Sequence, residues 1–133
     1  MAVAALSLDD WAGVRCVMHD VDRPSEDQIL AALDALDALR HTLLTLEGGD
    51  GGILMIGGGA GRYVVTYQPG EDEFWNLHSD APPGGPEVVL NCGGQEGGYP
   101  PDQVVGVEAA RAAALMLLAL SGVDVELGWR RQD

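Results

Sequence analysis

Between residues 42 and 93 the apolar side chains recur at every second position in short runs, and clusters of glycine cut the runs apart. No helix tolerates that arrangement, because its apolar stripe needs a period near 3.6 and its interior is weakened by each glycine. The runs are His41–Glu47, Ile53–Ile56, Arg62–Gln68, Phe74–His78 and Glu87–Cys92. Gly48-Gly49-Asp50-Gly51-Gly52 separates the first pair, and Gly57–Gly61 is expected to turn the chain into the third. In that third run Tyr63, Val65 and Tyr67 alternate with Arg62, Val64, Thr66 and Gln68. Residues 69–73 (PGEDE) read as an acidic turn, Ala81–Pro86 as a Pro/Gly loop, and residues 93–103 as an irregular connection. Short alternating strands joined by glycine turns make an antiparallel meander.

The flanks carry the helices. Residues 14–21 (VRCVMHDV) alternate loosely and suggest a first strand. Ser25 followed by Gln28 is a capping box, and Ile29, Leu33, Leu36 and Leu39 then form one stripe opposite Asp27, Asp34, Asp37 and Arg40. A second helix is expected from about Val107 to Leu120, with Gly122 closing it in a left-handed conformation. Its later half is apolar nearly all round, so it is expected to be the more buried, with Glu108 and Arg111 toward solvent. The tail, Val123–Trp129, either adds a last short strand or packs Trp129 on the core. The sum is an α+β fold: one antiparallel sheet of about five or six strands with two helices packed on it, in a single domain spanning residues 1–133.

Charge narrows the partner. Seven arginines, no lysine and 21 acidic residues give a formal charge of −14. Such a chain repels nucleic acid and anionic lipid and attracts basic surfaces. Apolar residues make up 47%, ordinary for a globular protein, so the acidity does not imply disorder. The apolar stretch Ala112–Leu120 is far too short to cross a bilayer, and residues 1–8 lack the basic start of a signal peptide. Cytoplasmic location is therefore expected, with Cys16 and Cys92 as buried, reduced thiols.

The residue types that carry catalysis do not assemble in the sequence. Gly57–Gly61 lies between strands and lacks the Lys-Ser/Thr and following helix of a phosphate loop. His19, His41 and His78 come from three elements with no ligand spacing, so no metal and no cofactor are expected. Ser79-Asp80 and Cys92-Gly93-Gly94 are not nucleophile elbows. No enzymatic role is expected. What remains fits a binding surface: Glu71, Asp72 and Glu73 at a hairpin tip beside Phe74-Trp75, then Glu96, Tyr99 and Asp102 on a glycine-rich connection, and Asp50 at another tip. Aromatic side chains anchor interfaces and rim charges steer them. Alternation sends one of Phe74 and Trp75 inward and the other outward.

Three segments resemble the first immunity-protein family of bacterial polymorphic toxin systems. They are Gly52–Tyr67 (GILMIGGGAGRYVVTY), Val88–Gly98 (VVLNCGGQEGG) and Tyr99–Trp129, where QVVGVEAA enters the last helix and Leu127-Gly128-Trp129 closes it. The resemblance covers about residues 25–130. It departs where Ser121-Gly122-Val123-Asp124 replaces a Thr-Gly followed by proline, and where Gly106 stands for a Pro or Ser. It implies a small α+β inhibitor of one cognate secreted toxin, often a nucleic-acid-targeting enzyme of the deaminase class. Such toxins are basic, so an acidic inhibitor, monomeric or weakly dimeric, suits them. The competing readings are a small-molecule-binding or accessory domain and a structural subunit that oligomerises through a sheet edge.

Overall fold

In the computed structural model, which describes residues 3–82, 84–119 and 128–132, the alternating runs form strands and the two periodic segments form helices. The elements are β1 (Val3–Ala12), β2 (Arg15–Asp22), α1 (Glu26–Ala35), β3 (Leu43–Gly48), β4 (Ile53–Gly59), β5 (Arg62–Gly70), β6 (Glu73–Leu77), β7 (Val88–Cys92), β8 (Gln95–Tyr99), α2 (Val107–Ala119) and β9 (Trp129–Arg131). A short 3-10 turn, Pro101–Gln103, links β8 to α2.

Seven strands make one antiparallel sheet in the order β2-β1-β3-β4-β5-β6-β9, while β7 and β8 pair separately. The α+β class is as the sequence implies, and the sheet has seven strands rather than five or six because residues 3–12 and 129–131 both join it, although β7 does not. Residues 3–12 form a long strand between β2 and β3, with Val3, Leu6 and Leu8 buried. Its two Asp residues and its irregular burial hide the period of two. The expected irregular connection at 93–103 is instead a strand and a 3-10 turn, because Gly93 and Gly94 both adopt positive φ and make a two-residue hairpin loop.

The pairing register sorts the sheet's side chains onto two faces. Leu44, Leu46, Leu54, Ile56, Val65 and Tyr67 point inward and meet Ile29 and Leu33 of α1 and Ala113 and Leu117 of α2. Trp129 is 1% exposed and tilts against Tyr67, ring centroids 6.0 Å apart, so it both opens strand β9 and fills the core, while residues 123–127 of the expected tail lie outside the described residues. Glu108 and Arg111 face solvent, and Arg111 reaches Asp34 of α1 at 2.8 Å. Ser25 caps α1 as expected: its hydroxyl accepts from the Gln28 amide, and Gln28 accepts from the Ser25 amide.

Three local expectations are corrected. Leu39 is not on the α1 stripe but 78% exposed, since the helix ends at Ala35. Asp37 Oδ1 there accepts the amides of Leu39, Arg40 and His41, and Ala38 adopts a φ of 63°, so the chain reverses. Gly57–Gly59 belong to β4, leaving Ala60-Gly61 alone as the turn. Gly57 is a glycine within the strand because a Cβ there would meet Cys92 Sγ at 2.7 Å. The thiols are free but not both buried: Cys16 is exposed on β2 and Cys92 is half-buried. The proposed cap at Gly122 lies outside the described residues.

β2 is a bare edge. It pairs with β1 over Ala5–Ala12 without a register shift, around a two-residue loop in which Gly13 supplies the positive φ. Hydrogen-bonded pairs alternate from Ala12–Arg15, so the backbone groups of Cys16, Met18, Asp20 and Asp22 point away from the sheet.

Candidate partner-binding surface

The eight residues expected at an interface do not converge. Asp50 in the β3–β4 turn, Glu71 and Asp72 in the β5–β6 turn and Glu73 at the start of β6 lie at the same end of the sheet, by strand direction. Asp50 is partly spent on structure, accepting the Gly52 amide at 3.0 Å. Glu71 and Asp72 are exposed. Trp75 is the inward member of its pair, packed against the core with its Nε1 donating to Glu73 at 3.3 Å, whereas Phe74 points outward. Glu96 and Tyr99 are on β8, and Asp102 sits by the far end of β6, 3.1 Å from His78 Nδ1.

The hairpin β7–β8 lies over the sheet's outer face, and one network seats it. Asp9, buried on that face, accepts from the Thr42 amide at 2.6 Å, the Leu43 amide at 2.9 Å, Trp11 Nε1 at 2.8 Å and the Thr42 hydroxyl. Thr42 Oγ1 in turn accepts the Gly94 amide at 3.0 Å, and Asn91 Nδ2 donates to the Ala38 carbonyl. Gly94 has no alternative, since a Cβ would enter the Trp11 ring at 2.1 Å. Burial, and secondarily a bond to Cys92, pushes the Tyr99 hydroxyl up to about 12. Burial likewise raises Cys92. On the opposite face of β1, the Arg40 guanidinium and then His19 hold the Asp10 carboxyl well below the usual carboxylate range.

The hairpin covers only half of the outer face. Between it and the acidic turns the floor is open, with Met55 40% exposed and flanked by Thr45 and Thr66 on the neighbouring strands. Three shallow cavities adjoin there. One of about 180 Å³ runs under the hairpin between Met55 and Tyr99, one of about 100 Å³ joins Ile53 and Met55 to Phe74, and one of about 230 Å³ is edged by Asp20 and Glu47. Only the last is rimmed by charge. Sequence reasoning passed over Met55 and Ile53 because an alternating strand assigns them to solvent without saying that neighbours make a continuous floor.

A larger cavity, about 310 Å³, lies by His78, Ser79 and the start of α2. Its polar groups are engaged by the neighbouring 3-10 turn: Ser79 Oγ donates to the Pro101 carbonyl and His78 faces Asp102. The histidine and the hydroxyl are thus not paired as base and nucleophile. His19 and His41 are likewise engaged, with Asp10 and with the Asp9 carbonyl.

The family model for Immunity protein Imm1 matches residues 18–131. The chain belongs to the Imm1 family. No curated protein and no solved structure matches it significantly. The Imm1 match takes in everything from the middle of β2 to β9, including the hairpin β7–β8 and the open floor, and leaves β1 outside. Membership makes this an immunity protein and implies a toxin as its partner. None of the helices among the described residues is long and apolar enough to cross a membrane.

Proposed function

We propose that this immunity protein binds the catalytic domain of one cognate secreted toxin, a basic, nucleic-acid-targeting enzyme of the deaminase class, and blocks its active site without chemistry of its own. It acts in the cytoplasm, as a monomer or a weak homodimer. The family match over residues 18–131 carries the reading, and the charge of −14 without a lysine supports the basic partner. Neutralising a lethal enzyme requires Kd near ~1 nM or below, about −12 kcal/mol. Desolvated apolar anchors supply most of such an energy, while carboxylates at the rim raise the association rate. Glu71 and Asp72 are suited to that steering role, being exposed at a turn tip. Glu96 adds to it from the hairpin, with Asp50 and Asp102 contributing less because each already holds a partner.

Co-expression is the decisive experiment. Cells producing the toxin domain encoded beside this chain survive when the chain is present and die when it is absent. Equal killing in both cultures refutes the reading. Trp75 is a poor probe of the interface, since its truncation also opens the core.

A further inference from the structure

On that reading, we infer that the toxin seats on the open half of the sheet's outer face, with Met55 and Phe74 as the anchors and the β7–β8 hairpin as one wall. Met55 stands at the middle of the sheet, yet it is 40% exposed, and Phe74 is 46% exposed two strands away. The cavity joining them is lined mostly by hydrocarbon. A methionine floor beside a projecting phenylalanine is a surface that moulds to a partner and gives it an aromatic contact. Nothing in the fold needs either side chain there, because the core on the inner face is complete without them.

The rim selects the occupant. Asp20 and Glu47 edge the floor on the β1 side, and Glu71 and Asp72 project from the turn at its end. A second copy of this chain would bring the same carboxylates against them, each chain at −14, so self-association is opposed. A protein carrying arginine and lysine around an apolar patch meets both the floor and the rim. The helix layer offers no equivalent: its solvent side presents Glu108, Arg111 and Asp34, and among the described residues of the two helices Leu115, at 37%, is the one large apolar side chain exposed.

Two measurements use the intact chain and the purified toxin domain. In the first, Met55→Glu and Phe74→Glu each weaken binding at least about 30-fold, while Leu115→Glu stays within about 3-fold. In the second, dilute peroxide oxidises Met55 of the unmodified protein, and complex formation slows that oxidation about tenfold or more, with buried Met116 as the internal reference. The second needs no variant and decides the matter should either glutamate variant fail to fold. If the unmodified chain binds and protects but Met55 oxidises at the same rate in the complex, this docking face is wrong and the immunity reading stands. If the unmodified chain does not bind the toxin domain at all, both fall.

Discussion

At the scale of single residues, environment separates groups that are chemically alike. Cys16 lies exposed on the edge strand, whereas Cys92 is half-buried under the hairpin with its thiol pKa raised by that burial. An aromatic disulfide reagent near neutral pH should therefore modify one thiol at least about tenfold faster than the other, and Cys16→Ser should remove the fast phase. Asp10 makes a second test. Its carboxyl is depressed in the folded state by Arg40 and His19, so it stabilises the fold above the ordinary aspartate value and loses that contribution as the pH falls. The stability gap between the natural protein and Asp10→Asn, read from denaturant midpoints, should be full near about pH 7 and narrow steadily below about pH 4. A gap that widens in acid contradicts the assignment.

The elements show which forces a sequence displays openly. The meander β3–β6, both helices and the Ser25 cap were legible because each follows from a local period or a local hydrogen bond. The number of strands was not, since β1 is read only when β2 and β3 lie on either side of it. The Gly57–Gly61 cluster misled for a related reason. A glycine chosen for its φ and one chosen for lack of a Cβ look identical in a sequence, and Gly57 is of the second kind. Gly57→Val should push against Cys92, cost about 2 kcal/mol, and make Cys92 react nearly as fast as Cys16. If Cys92 stays slow, the hairpin does not rest on Gly57. The candidate surface was legible in its charge and not in its floor. Acidic turn tips announce themselves in order along the chain, whereas Ile53, Met55 and Phe74 come together through pairing across three strands.

For the molecule as a whole, the acidity acts at a distance. With carboxylates on both turns at one end and along the β1 side of the outer face, capture of a basic partner should be fast in dilute buffer. Raising the salt from about 50 to 500 mM should slow association about tenfold and leave dissociation within about twofold. Reversing Glu71 and Asp72 to arginine should reproduce part of that slowing in stopped-flow traces. Dissociation that changes more than association would assign those carboxylates to the contact itself.

The unshielded flank at β2 gives the same charge a second duty. Eight residues there lack the lysine, proline or bulge with which sheets ordinarily discourage neighbours from adding on. Mutual repulsion between like molecules takes the place of those devices. Growth of filaments through this flank should thus depend on the surroundings: opposed at low ionic strength and near-neutral pH, and released where carboxylates are protonated or screened.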